Sequence, residues 1–353
     1  RLPHHQEGGW DMQPGMKFLT PLLLAYLLVI PSSSGIYIAS PDYVSSIASV
    51  DVKDVINGRY GDVIFATSSG LSIYTANGTW YSVNARNPRQ TDYGFLEPLD
   101  NMVTALALDP DGHLWLGYSC GLQIGNGTGY HAIQDQDHLK NLNINCIRRW
   151  DNEVWVAAGS AGLHRWHDGN WTWYKPGGPS GAGFYTVVSM VVDAESDALV
   201  IDSENEGVWV LKGHARDPRF ERVFFGGDPL LTISGVRVDP FGGVYLFNAT
   251  TILHYSPDEG VTPVLNATAL STYPVTINDV AATRDGMLLV ASDNGIYGLN
   301  SSGIELHLTS RDGIRENFVK KLFVDASGRC WFVVPGHVGC IPLIPPYPII
   351  PLV

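Results

Sequence analysis

The sequence is short of charge, and above all of positive charge. Asp, Glu, Lys and Arg make up only 16% of its 353 residues, and 22 Lys and Arg stand against 35 Asp and Glu, a net charge of −13. A disordered chain would be charge-rich and apolar-poor, whereas 45% of these residues are hydrophobic. A coiled coil would need abundant Ala, Glu, Lys and Leu. No Lys/Arg stripe offers the basic face that nucleic acid requires, so no nucleic-acid partner is expected. Cysteine is scarce, at four residues. After Ile30 no long apolar run occurs, and no helical periodicity of comparable strength to the strand signals. Linear signatures are missing too: no G-x-S-x-G, no H-E-x-x-H and no phosphate-binding Gly-Lys-Ser/Thr. The eleven His are scattered without metal spacing, and no cofactor is implied. What is abundant is Gly (38), Pro (22), Tyr (16) and Trp (10), which suits a β-rich chain with many tight turns. The length allows two or three ordinary domains or one large all-β domain.

Met16 and Lys17 open a positive stretch, residues 18–30 are apolar, and Pro31, Ser32, Ser33, Ser34 and Gly35 follow. That is the layout of a secretory signal peptide. An apolar core of about 13 residues falls short of the roughly 20 that a membrane-spanning helix needs. Residues 1–15 therefore read as an upstream extra segment, 16–34 as the signal peptide, 35–345 as the folded body and 346–353 as a Pro-rich apolar tail. Six N-x-Ser/Thr sequons, at Asn77, Asn126, Asn170, Asn248, Asn266 and Asn300, agree with export. Chance would give roughly two, although turns favour the same residues. An even number of Cys agrees as well. Cys330 and Cys340 flank the Pro335-Gly336 turn, and neighbouring repeats could bring Cys120 to Cys146, so two disulfides are expected. The expected location is extracellular or on the cell surface.

One pattern recurs through the chain: an apolar strand, a Gly/Asp turn, a strand with a central aromatic or aliphatic residue, a small-residue turn, a Gly-started strand and a polar turn. Copies start at Val52, Val103, Ile144, Val187, Ile233, Ile277 and Val319. The period is about 40 to 45 residues, room for four short strands. A four-stranded unit cannot bury both faces alone, but a closed ring of them can. The expected fold is all-β, a seven-bladed propeller of four-stranded antiparallel blades. The seventh copy has three clear strands, and the segment from Gly35 to Ser40 is a strand left over at the start, so it is expected to complete blade seven.

Residues 103–122 read Val-Thr-Ala-Leu-Ala-Leu-Asp-Pro-Asp-Gly-His-Leu-Trp-Leu-Gly-Tyr-Ser-Cys-Gly-Leu. They resemble the two-component-regulator propeller repeat, with Asp109, Gly112, Trp115, Gly117, Gly121 and Leu122 on its pattern. The third copy keeps Trp155, Gly162 and Leu163, the first keeps Gly70 and Leu71, and the later copies are degenerate. The resemblance implies an exported, ligand-sensing propeller, in many relatives the outer part of a histidine kinase. Here one ring is expected to stand alone, without a kinase, so recognition is what the resemblance implies for this chain.

The repeat tryptophans Trp115, Trp155 and Trp331 could stack on sugars, but aromatics of this kind ordinarily fill the core between blades. The Asp-Gly turns supply too few oxygens for calcium. The acidic stretches 135–138 and 202–206 are better placed to surround a cation, with solvated loops as the plainer reading; no metal is assigned. Two long links carry the candidate ligand-binding residues: Arg86, Arg89, Asp92, Tyr93 and Phe95 within 84–101, and Tyr185 after 175–184. Most sequons fall in the turns of one face, which leaves the opposite face for a ligand. The expected function is recognition of a carbohydrate or of a surface protein or polymer, without chemistry. The alternatives are a polysaccharide lyase or hydrolase, whose His and carboxylates would come from different blades, and a structural subunit of a surface layer that self-associates through the Pro-rich tail.

Overall fold

The computed structural model describes residues 47–344 other than 215–217, together with the backbone of Tyr37–Ile38 and Asp42–Tyr43. The signal peptide, the upstream segment and the Pro-rich tail expected from the sequence lie outside the described residues.

Seven antiparallel sheets follow one another along the chain. We call them blades 1–7 and their strands A to D. Blade 1 is Val52–Asn57, Val63–Thr67, Gly70–Tyr74 and Trp80–Val83. Blade 2 is Ala105–Leu108, Leu114–Tyr118, Gly121–Gly125 and Tyr130–Ile133. Blade 3 is Ile144–Trp150, Glu153–Ala158, Leu163–His167 and Asn170–Tyr174, and blade 4 is Val187–Asp193, Ala198–Ser203, Gly207–Lys212 and Phe220–Arg222. Blade 5 is Gly235–Val238, Val244–Phe247, Thr251–Ser256 and Gly260–Asn266, and blade 6 is Ile277–Ala282, Leu288–Ser292, Gly295–Asn300 and Gly303–Leu308. Blade 7 takes Lys321–Val324, Arg329–Val334 and His337–Ile344 from the end of the chain. Its outer position is filled from the start: Tyr37–Ile38 pairs with Leu343 and Ile344, and Asp42–Tyr43 with Gly339 and Cys340. The leftover strand closes the ring as expected.

Strand alternation explains why a ring forms. Along each inner strand, successive side chains enter opposite neighbours. The buried apolar residues accordingly sort into seven clusters, one per blade interface. The closing interface is aromatic, with Trp331 of blade 7 packed 5.3 Å from Phe65 and 5.1 Å from Tyr74 of blade 1.

The repeat motif is turn chemistry. In blades 2 and 7 the A–B turn is held by one carboxylate. Asp109 accepts the N–H groups of Asp111 and His113 and the indole N–H of Trp115 (3.2 Å). Asp325 accepts those of Ser327 and Arg329 and the indole of Trp331 (2.8 Å). The spacing from Asp to Trp is thus set by a buried indole that needs an acceptor. The glycine that opens strand C is equally constrained: at Gly121, φ is 139°, and a Cβ would stand 2.5 Å from the Ile133 carbonyl at the end of strand D.

Neither expected disulfide forms; all four Cys are free thiols. The hairpin of blade 7 pairs Cys330 with Ile341 and Trp331 with Cys340. The two Cys are therefore one step out of register and sit on opposite faces, Cys330 toward blade 6 and Cys340 toward blade 1. Cys120 packs against the core between blades 1 and 2, Cys146 in that between blades 3 and 4, so whole sheets separate them. Burial pushes the Cys330 thiol pKa up, which keeps it protonated and unreactive.

Candidate functional site

In an antiparallel blade, strands A and C begin, and B and D end, at the same edge. The links between blades and the B–C turns therefore share one side of the ring, the entry face, and the A–B and C–D turns share the other. The inner strands line a central channel of about 700 Å³.

Strand A enters this channel through a bulge. The pairing register slips between Val52 and Asp54, Ile144 and Cys146, Val187 and Ser189, and Ile277 and Asp279. A bulge re-aims the side chain it inserts. The inserted residues Lys53, Asn145, Val188 and Asn278, with Thr104, Ser234 and Lys320 from the other blades, line the channel at its entry-face end. Three of them stitch blade to blade: Thr104 Oγ1 donates to the Ile144 carbonyl (2.6 Å), Asn145 Nδ2 to Val187 (3.1 Å) and Asn278 Nδ2 to Val319 (2.8 Å).

One step further in, blades 1 and 6 carry equivalent carboxylates. Asp54 accepts the backbone N–H of Leu106 (3.1 Å) and the guanidinium of Arg148 (3.0 Å). Asp279 accepts the N–H of Leu322 (3.1 Å) and the guanidinium of Arg237 (2.8 Å). Lys321 donates to the Lys53 carbonyl (3.0 Å). Its ammonium pKa is depressed by burial, partly offset by Asp279.

On the entry face the links expose apolar side chains: Met102 before blade 2, Tyr185 and Val188 entering blade 4, Leu231 before blade 5, Tyr273 before blade 6 and Phe318 before blade 7. Tyr273 is 79% exposed and Tyr185 55%.

The structure separates the residues expected to bind ligand. The link after blade 1 does not remain on the entry face. It forms a hairpin, Arg89–Thr91 with Gly94–Leu96, that runs down the outside of the ring, where the Phe95 N–H donates to Thr128 in the C–D turn of blade 2. Tyr93, at its tip, is buried, donating to Asp62 (2.9 Å) and accepting from the Arg59 N–H (2.8 Å). Arg89 lies over the Tyr81 ring at 4.4 Å, Arg86 and Asp92 are exposed, and Phe95 borders a side groove with Glu97, Leu99 and Tyr130. Tyr185 is the member of the set that reaches the entry face. Replacing Tyr93 with Phe is expected to cost about 1–3 kcal/mol, since the buried Asp62 carboxylate loses a donor. Denaturant unfolding checks this.

Asn77, Asn126, Asn170 and Asn300 lie at C–D turns, and Asn248 and Asn266 at the entry-face edge of blade 5. Several sequons are themselves Asx turns: Asn126 Oδ1 accepts from the N–H and hydroxyl of Thr128, and Asn266 Oδ1 from those of Thr268. The first acidic stretch closes on itself, with Asp135 paired to His138 at 2.8 Å. The second is divided by the end of a strand: Asp202 is buried, while Ser203 donates to Glu206 (2.5 Å). Two signals were missed in the sequence, namely the channel cations and the buried Asp202, whose pKa burial lifts to about 7.

A family model for the two component regulator propeller matches residues 98–119. No curated protein sequence matches the chain. Among solved structures, the chain resembles the extracellular domain of BT4673 from B. thetaiotaomicron, described as a one component and as a hybrid two component system, with a TM-score of 0.63 and 15% identity over 85% of this chain and 39% of that one. It also resembles a streptogramin B lyase (TM-score 0.62, 13% identity, 89% of this chain and 100% of that one). A virginiamycin B lyase from Staphylococcus aureus is similar too (TM-score 0.59, 13% identity, 87% and 100%). The chain thus spans about two fifths of the BT4673 domain and the whole of each lyase, and at these identities the likeness is one of fold. The matched residues cover the end of the link into blade 2 and its first hairpin, where the motif is fullest: the chain is a seven-bladed propeller, and this stretch of it matches the two component regulator propeller repeat.

Proposed function

We propose that this protein is an exported, non-catalytic recognition propeller that binds a carbohydrate or carbohydrate-bearing surface polymer on its entry face. The observation that carries the reading is the exposure of Tyr185, Tyr273 and Phe318 on the inter-blade links of the entry face, the face onto which the polar channel opens. Aromatic rings offer flat apolar faces for sugar rings, and a concave mouth with a few polar groups orients what stacks there. Four of the six sequons lie on the opposite side, so glycans there would leave this face open. Against a lyase or hydrolase stands the use already made of the channel carboxylates: Asp54 and Asp279 each hold an arginine and a backbone N–H, which suits a scaffold better than proton transfer.

A glycan array probed with the intact protein and with the Tyr185→Ala/Tyr273→Ala variant tests the reading. Because exposed side chains are changed, the variant is expected to keep its fold, and its affinity is expected to fall roughly tenfold or more. Equal binding by both proteins, or no glycan bound by the intact one, overturns it. Product formation from a bound polymer would instead support the enzyme reading.

A further inference from the structure

The chain carries a net charge of −13, yet its channel wall is cationic. Five cations, Lys53, Arg148, Arg237, Lys320 and Lys321, line it with two carboxylates, Asp54 and Asp279. Both carboxylates are spent on the two arginines and on backbone donors. The excess therefore falls to three lysines at the seam where blade 7 meets blade 1. Lys53 is paired at the mouth with the exposed Asp51 (2.8 Å). Lys321, half-buried, has as its described acceptor the neutral Lys53 carbonyl, and no carboxylate within ion-pair distance among the described residues. Lys320 is exposed at the mouth. A cation partly withdrawn from water and left without a direct ion pair is costly, and a concave low-dielectric wall with an excess of one sign concentrates ions of the other.

We propose that the blade 7–blade 1 seam of the channel mouth, formed by Lys320 and Lys321 with Lys53 beside them, binds an oxyanion: a carboxylate, sulfate or phosphate group of the ligand. The inference rests on the recognition function proposed above and narrows it to acidic saccharides. Lys321 supplies ammonium donors inside the channel and Lys320 supplies them at its lip, while the entry-face aromatics would hold the rest of the ligand. The depressed pKa of Lys321 has the sense expected of a cation awaiting a partner.

The test is thermal unfolding of the intact protein in sodium sulfate, phosphate or glucuronate, against sodium chloride of equal ionic strength. A ligand that binds the native state raises the melting temperature by mass action. At least one oxyanion is expected to stabilise the wild type, and the identity of the effective one distinguishes ester from carboxylate sources. Lys320→Glu, a change at an exposed side chain, and Lys321→Gln are each expected to abolish that stabilisation, and Lys321→Arg to retain it. Equal stabilisation of wild type and Lys320→Glu, or of chloride and every oxyanion, overturns the site, and the exposed variant keeps this result readable if Lys321→Gln fails to fold. Neutral glycans bound on the array without any oxyanion effect would remove the anion site and leave the recognition reading standing. Oxyanion stabilisation without any glycan bound would do the reverse.

Discussion

Asp202→Ala is expected to stabilise the propeller at pH 8, and clearly less at pH 5. Asp202 is 1% exposed, and its Oδ2 has no hydrogen-bond partner among the described residues. It lies on strand B of blade 4 between Ser189 and Val208, on the face that its strand neighbour Val200 turns into the apolar core against blade 5. No charged group perturbs it; burial alone raises its pKa to about 7. The unfolded chain releases that proton near pH 4, so the folded state is at its best below that value. Stability is then lost as the pH rises toward 7, by about 4 kcal/mol in full. Alanine removes the titration and leaves a void worth roughly 1 kcal/mol or less. The pairing of strands A and B puts Ala66, Ala157 and Ala291 at the matching positions of blades 1, 3 and 6, so the backbone accepts alanine there. At pH 8 the melting temperature is expected to rise by about 5 °C or more. Equal shifts at both pH values would show that the carboxylate is not buried uncompensated.

The second large effect has the opposite sign. Asp325→Ala is expected to cost about 3 kcal/mol or more at pH 7. Asp325 accepts from the Ser327 hydroxyl (2.6 Å), the Arg329 Nε (2.7 Å) and the Trp331 indole (2.8 Å), as well as from two backbone N–H groups. Without it, a fully buried indole N–H and a turn lose their acceptor at the closing interface, where Trp331 also packs on Phe65, Tyr74 and Trp80. Burial alone would raise the Asp325 pKa, but the hydrogen bonds from Ser327, Trp331 and Arg329 outweigh it and hold the carboxyl below its ordinary value. Its contribution is thus present above the unfolded-chain pKa near 4 and is lost as the pH falls through the lower folded value. Denaturant midpoints at pH 7 and pH 3 check both parts: the gap between wild type and variant should be wider at the first than at the second. A variant within 0.5 kcal/mol of the wild type at pH 7 would show that the turn does not depend on this side chain; that is roughly the size of a neutral surface change.

The contrast between these two aspartates shows what the sequence could and could not reveal. Asp325 and Asp109 stand in a frame of Asp, Gly and Trp that is complete in blades 2 and 7, and the strand-and-turn pattern around it, repeated along the chain, made the blade count legible. Asp202 begins an acidic run, 202–206, that reads as a solvated loop; only the strand that ends at Ser203 turns it inward. The disulfide between Cys330 and Cys340 failed by a single register step, because a two-residue turn at Pro335-Gly336 pairs Val334 with His337 and leaves the thiols on opposite faces. The link after blade 1 was legible as a long insertion, but its course was not, since Thr91, Tyr93 and Leu96 are drawn down the outer wall by burial against blades 1 and 2. The channel cations were invisible for another reason. Arg148, Arg237 and Lys321 come from three blades, and nothing in their local sequence marks them as neighbours until the ring brings their strands to one axis.

The shared outer strand of blade 7 also sets how the molecule answers to a pull. Tyr37 lies opposite Ile344, so the two ends of the described chain leave the sheet at the same corner and side by side. Tension applied between them would load the hydrogen bonds one after another, as in opening a zip, instead of all together in shear. The ring should therefore part first at that strand and under a small force, while a load carried through one end alone leaves the clasp untouched. A protein held at a surface by one end can keep its ring intact under flow; the same protein strung between two anchors would open at the pairing of Tyr37 with Ile344.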